Sequence, residues 1–125
     1  MAKVPQDVTL LASAARTATT ASPGQINDQG YEGVIVNFNV SAVSGSASLT
    51  AKIQGYDAVS NSWYDIVASA AITATGLTTL TCSPRLTAVS NKVANAHLPT
   101  TWRAIIVAGT SDSCTYSIGA ILVGS

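Results

Sequence analysis

Hydrophobic and polar residues alternate in short runs along most of this chain. In residues 34–40, three valines and Phe38 share one face by the two-residue period of a β-strand, and two asparagines occupy the other face. Residues 48–56 alternate in the same way. Together with residues 63–68 they predict a β-hairpin, whose loop contains Asn61, a residue that tolerates turn geometry.

Turn-forming residues separate further runs of the same kind. Pro23, Gly24, Gly30 and Gly33 predict a long loop over residues 21–33. Residues 85–99 are ambiguous between an irregular loop and a single helical turn, because a loose helical stripe there is interrupted by Asn and Pro. The remaining predicted strands are residues 7–11, 15–20, 77–82, 102–108 and 115–123.

About eight strands with no convincing long helix predict an all-β fold. The spacing of the turns favours an antiparallel β-sandwich, and the long loops favour a jelly-roll-like arrangement over a simple meander. We expect one domain over residues 1–125, which is close to the commonest domain size. Residues 1–11 are a candidate N-terminal arm of that domain.

The composition favours a packing surface over a reactive one. Ala, Ser and Thr make up two residues in five, charged residues are 10% of the chain, and the formal net charge is zero. Globular proteins usually carry about 25% charged residues. Because the six basic residues are scattered, we expect no nucleic-acid partner, and no apolar run approaches the length of a membrane span.

Candidate catalytic and metal-ligating residues are sparse, so we expect no enzyme activity, no metal and no cofactor. His97 is the only histidine, and no Gly-x-Ser-x-Gly motif presents a nucleophile. Asp57 with Asp65 could bind calcium, as could Asp28 with Glu32, but neither pair has the spacing of a calcium loop. Turn chemistry is the better explanation of these carboxylates.

The N-terminus lacks the apolar run of a signal peptide, so we expect the chain to fold in a cytoplasm. In that compartment Cys82 and Cys114 are expected to be buried thiols, with a disulfide the less favoured alternative. Among the aromatic residues we expect Trp102 to be buried. Trp63, Tyr64 and Tyr56 could instead form a carbohydrate-binding platform.

Several segments resemble a group of small virion proteins of tailed phages, and the likeness covers most of the chain. These segments are residues 9–19 (TLLASAARTAT), 40–50 (VSAVSGSASLT), 52–55 (KIQG), 88–95 (AVSNKVAN), 98–103 (LPTTWR) and 114–120 (CTYSIGA). The resemblance implies a structural virion protein, and in particular a capsid decoration (cement) protein on the outside of the phage head. The resemblance implies nothing about whether Cys82 and Cys114 pair.

The expected partners are therefore the major capsid protein and further copies of the chain, as a homodimer or homotrimer, within the virion. We expect the N-terminal segment and the 21–33 loop to make the contacts, with strand addition onto a neighbour's open edge as one mechanism. Deleting residues 1–11 is expected to weaken binding and leave the sandwich folded. A tail or fibre component and a carbohydrate-binding module are the alternatives. The candidate contact residues are Val4, Val8, Leu10, Ile26 and Tyr31.

Overall fold

The structure is a computed structural model that describes residues 5–124, and within that range it contains strands and no helix. No described segment could therefore cross a membrane as a helix. Seven strands are long and three have only two residues. The strands are β1 (Gln6–Arg16), β2 (Thr20–Ala21), β3 (Gln25–Ile26), β4 (Gly33–Val43), β5 (Leu49–Asp57), β6 (Ser62–Ala68), β7 (Gly76–Cys82), β8 (Val93–Ala94), β9 (Thr101–Ala108) and β10 (Cys114–Val123).

The strands form two sheets that pack as a β-sandwich, which confirms the predicted fold class. The first sheet has the order β1-β10-β4-β7-β8, and the second has the order β2-β9-β5-β6, with β3 also paired to β9. Strands from the two halves of the chain therefore pair in reverse order, first with last and innermost with innermost, as in a jelly roll. The structure has ten strands where about eight were expected, and the three two-residue strands are short additions, β2 and β3 to β9 and β8 in parallel to β7.

The core lies between the sheets and follows the predicted alternation. In β4, the side chains of Val34, Val36, Phe38 and Val40 are each at most 1% exposed. The inward residues of β5 and β10, from Leu49 and Tyr116 onward, pack in the same cluster. Because each fully buried side chain of this size contributes roughly 1.5–3 kcal/mol, these alternating positions hold the two sheets together.

Three segments differ from the sequence-based expectation. Residues 7–11 and 15–20 were expected to be two strands, but β1 is continuous because two register shifts, between Thr9/Leu11 and Leu11/Ala14, absorb the extra residues. The 21–33 loop contains two short strands on β9. Residues 85–99 form no helical turn and contribute β8, and there Asn91 adopts the left-handed backbone region with a φ of 62°.

Two turns place a residue in the left-handed backbone region. In the β5–β6 loop, Asn61 has a φ of 56°, the left-handed geometry that asparagine tolerates. In the turn before β5, Gly45 has a φ of 57°, and the carboxylate of Asp112 accepts a hydrogen bond from the next backbone amide. A Cβ atom at Gly45 would lie 2.5 Å from that carboxylate, so glycine is required there.

Candidate functional site

A cleft of about 450 Å³ opens at one end of the sandwich, where the edges of the two sheets meet. The start of β1 and the end of β10 form one side, and β3, the loop after it and the start of β9 form the other. We call it the edge cleft. It is lined by Gln6, Val8, Gln25, Ile26, Asn27, Asp28, Gln29, Tyr31, Trp102 and Leu122.

The edge cleft combines apolar side chains with amides. Trp102 is 1% exposed and lines the cleft from the core, whereas Ile26, on the neighbouring strand β3, is 63% exposed. Of the ten lining residues, Asp28 alone is charged. An exposed β-branched side chain beside a buried aromatic is the kind of apolar centre that interfaces use, with polar groups around it.

One asparagine fixes the loop that carries Tyr31. The side-chain oxygen of Asn27 accepts a hydrogen bond from the Tyr31 backbone amide at 2.9 Å, and its amide group donates to the Tyr31 carbonyl at 2.7 Å. At the far end of the loop, the Tyr31 hydroxyl donates to the Gln6 side chain at 3.2 Å. The loop is thereby tied to β1 across the cleft, so the cleft walls are preorganised.

The structure brings three of the candidate contact residues together. Val8, Ile26 and Tyr31 all line the edge cleft. Leu10 does not line the cleft. It lies two positions beyond Val8 along β1, packs in the core, and is only 5% exposed. The folded chain therefore cannot offer Leu10 to a partner. Val4 lies outside the described residues.

The proposed N-terminal arm is also revised. Its described part, from Gln6 to Leu11, is the first half of β1 and pairs with β10, opposite Leu122 to Ile118. Deleting residues 1–11 would remove Leu10 from the core and half of an edge strand. Such a deletion is therefore expected to destabilise the sandwich, contrary to the expectation from sequence.

Sequence reasoning missed most of the cleft lining. The run 25–29 (QINDQ) is rich in amides, and this composition was the one local signal available. Trp102 and Leu122 gave no signal, because their place in the cleft depends on how the ends of β9 and β10 meet in the fold.

A second, wider groove of about 580 Å³ follows the connection from β6 to β7. Small residues of the 69–74 segment line it together with Leu77, which is 64% exposed, and Lys92. None of the candidate contact residues lies there.

The outer face of the second sheet carries a chain of polar contacts. Asp65 accepts hydrogen bonds from Gln54 and from Lys52, both at 2.9 Å, and these bonds, the Gln54 bond first, lower the pKa of its carboxyl group. Gln54 in turn accepts from the Arg103 guanidinium at 2.8 Å. Gln54 is only 9% exposed because these partners cover it.

The expected carbohydrate platform overlaps this face. The Arg103 guanidinium lies over the Trp63 ring at 4.3 Å, and the Tyr56 ring is tilted against it at a centroid distance of 4.9 Å. Burial lowers the pKa of Arg103. A sugar that stacked on the face of Trp63 covered by Arg103 would have to displace the guanidinium, so this geometry does not favour the platform.

The reactive side chains are dispersed. His97 is exposed between β8 and β9. Within residues 5–124, no three His, Cys, Asp or Glu side chains lie close enough together to hold a metal ion. Asp57 instead accepts hydrogen bonds from Ser60 and from the Val59 amide, which lower its pKa, so this carboxylate is explained by turn geometry.

Cys82 and Cys114 are both free thiols, and both are buried, as was expected. The Cys82 thiol donates to the Ala96 carbonyl at 3.3 Å, and burial raises its pKa from about 9 to about 11. Both cysteines therefore serve as small core side chains.

The Cys82 thiol makes stability depend on pH in alkali. In the unfolded chain the thiol ionises near pH 9, whereas in the folded chain it stays neutral up to about pH 11. The free energy of unfolding should therefore be unaffected by this group below about pH 9, and should fall above it by up to about 1.4 kcal/mol per pH unit. Urea denaturation at a series of pH values measures this dependence, and the free energy of unfolding should fall less steeply with pH in Cys82→Ala than in wild type. An equally steep fall in both proteins would exclude this role of Cys82.

Comparison with protein-family models and with curated proteins gives no match to this chain. Functional inference therefore depends on the fold and on the edge cleft.

Proposed function

We propose that this protein is a structural virion protein of a tailed phage, which decorates the outside of the head and stabilises it by bridging capsid subunits. The observation that supports this proposal is the edge cleft, which gathers Val8, Ile26 and Tyr31 beside an open strand edge. The resemblance of the sequence segments to small phage virion proteins points in the same direction. The jelly roll is compatible with this role but does not imply it.

The composition suits such a role. A decoration protein adds binding free energy to the closed shell by burying area across subunit junctions, and many modest contacts act together. A neutral protein with 10% charged residues experiences little long-range repulsion from further copies of itself or from a shell. A homodimer or homotrimer would multiply the contacts of each decorating unit.

The edge cleft is the expected contact surface, and Ile26 is its most exposed apolar residue. Replacing Ile26 with aspartate should weaken binding to phage heads at least about tenfold, because it places a charge where an apolar contact is desolvated. The matched control is Val59→Asp. Val59 is also β-branched and is 94% exposed, but it lies in the β5–β6 loop, away from the cleft.

The binding assay uses heads of the phage that encodes this chain, stripped of the protein and then mixed with purified wild type or variant. Sedimentation of the heads measures the bound fraction, and electron microscopy distinguishes heads from tails. Equal loss of binding by both variants would exclude the edge cleft as the contact. Binding of the wild type to tails alone, or to neither structure, would contradict the decoration function.

A further inference from the structure

The edge strand β1 consists of two different halves. From Gln6 to Thr9 its register with β10 is regular, each residue opposing one residue from Leu122 to Gly119. Beyond Thr9 the two register shifts interrupt the ladder. Bulges of this kind twist an edge away from regular pairing, which is how natural sheets protect their edges.

Arg16 closes the second half further. Its guanidinium donates to the carbonyls of Ala12 at 2.7 Å, Ala14 at 3.2 Å and Tyr116 at 2.6 Å, and it lies over the Tyr116 ring at 4.7 Å. Three carbonyls around the register shifts are thus hydrogen-bonded to one side chain of the chain itself. This half of β1 is not prepared to accept another strand.

The first half is open. Among the described residues, β10 is the one strand that pairs with Gln6–Thr9, and no side chain bonds to the backbone of these four residues. In an edge strand, every second residue directs its N–H and C=O groups away from the sheet. Two of the four residues Gln6–Thr9 therefore present free backbone groups next to the edge cleft.

The two faces of this open segment differ in chemistry. Gln6 and Val8 line the edge cleft, together with apolar Ile26 and Trp102. Asp7 belongs to the opposite face, since successive side chains of a strand alternate. A strand added here would direct one set of side chains toward the apolar cleft and the other set beside the Asp7 carboxylate.

The charges select the type of strand. Asp7 is exposed, Asp28 lies at the cleft, and none of the described residues that line the cleft is cationic. Opposite charges across a strand pair are favourable and like charges are not. The segment therefore suits a strand with apolar residues on one face and basic residues on the other.

We propose that the Gln6–Thr9 edge binds an extended segment of a partner protein by β-strand addition, with alternating apolar residues in the edge cleft and a basic residue beside Asp7. Backbone hydrogen bonds supply affinity in this recognition mode, and the pockets for alternate side chains supply specificity. The inference rests on the proposed function for the partner's identity, which would be a shell subunit. The binding of a strand does not depend on that function.

The same segment of a second copy of the chain fits the edge poorly. Symmetric antiparallel pairing centred on Asp7 places the two Asp7 carboxylates directly opposite each other. Pairing centred on Val8 requires Leu10, which lies between the paired positions Thr9 and Leu11 of the first register shift. Symmetric pairing of Gln6–Thr9 with itself is therefore unfavourable, and the proposed partner strand has a different sequence from this segment.

The test uses the full chain and two synthetic peptides, acetyl-KVKVKV-amide and acetyl-EVEVEV-amide. Titration monitored by backbone amide NMR shifts should show changes concentrated at Gln6–Thr9 and around the cleft. The basic peptide should bind about fivefold more tightly than the acidic one. No shift at these residues up to millimolar peptide would overturn the proposal.

N-methylated peptides test the backbone pairing. Methylating every valine nitrogen blocks one edge of the basic peptide, and methylating every lysine nitrogen blocks the other. Because an added strand pairs through one edge only, one methylated peptide should lose binding and the other should keep it. Retained binding by both would show that side chains alone hold the peptide, and would contradict strand addition.

A charge reversal tests the role of Asp7. Asp7→Lys should reverse the preference, so that the acidic peptide binds more tightly. Asp57→Lys makes the same change in net charge at the end of β5, outside the cleft lining, and should leave the preference as in wild type. If the peptide preference changed equally in both variants, net charge alone would explain it and the role of Asp7 would be overturned.

The two proposals fail separately. If the peptides do not bind at Gln6–Thr9 but the protein binds phage heads normally, strand addition is excluded and the decoration function stands. Peptide binding at Gln6–Thr9 by a protein that ignores phage heads would keep the edge as a strand-binding site and remove the decoration function.

Discussion

Replacing Trp102 with alanine should lower the free energy of unfolding by about 3–5 kcal/mol. The side chain is 1% exposed, and it lies at the start of β9, where it opposes Gln25 of β3 and Gly55 of β5. Truncation would leave a cavity between the sheets at the end that carries the edge cleft. Chemical denaturation monitored by circular dichroism measures the change.

Trp63→Ala is the matched control, because Trp63 is the other tryptophan and lies on the outer face of the second sheet. Its ring packs against Arg103 and Tyr56 but remains partly exposed, so the expected loss is only about 1–2 kcal/mol. If the two substitutions cost the same, the core position of Trp102 would be contradicted.

Replacing Arg16 with alanine should lower the free energy of unfolding by about 2–3 kcal/mol. Three backbone carbonyls would lose their donor, and the Tyr116 ring would lose the cation above it. Arg16→Lys should recover only part of this loss, since an ammonium group cannot reproduce the planar fork of the guanidinium.

Arg85→Ala provides the comparison for Arg16. The Arg85 side chain is 69% exposed and forms a surface ion pair with Glu32, so its removal should cost less than about 1 kcal/mol. Thermal or urea denaturation of the three variants tests the difference. If Arg16→Ala cost no more than Arg85→Ala, water would satisfy the carbonyls of Ala12, Ala14 and Tyr116 as well as Arg16 does.

Local alternation is why much of the fold could be predicted from sequence. The pattern from Val34 to Val40 requires only neighbouring residues to define a face, and β4 has the predicted face buried. The β5–β6 hairpin could be predicted for the same reason, since its two strands are close in sequence. The continuity of β1 could not be predicted, because Ala12 and Ser13 show no alternation and the register shifts depend on β10.

The site was only partly predictable, and the reason is geometric. Val8 and Leu10 are both apolar residues of the same short run, and sequence does not distinguish them. What separates them is their distance from the end of the sandwich, since Val8 lies at the cleft and Leu10 lies in the core. Tyr31 and Ile26 were found because they stand among loop-forming residues, where contact surfaces are common.

The pairing order of the first sheet has a consequence for biosynthesis. β10 lies between β1 and β4, yet it is the last of the described strands to leave the ribosome. Until β10 has emerged, β1 has no neighbour in its sheet and β4 has one free edge, so the sheet cannot close before β10 is available. In that interval the bare strands are exposed to misassociation, which chaperones would limit.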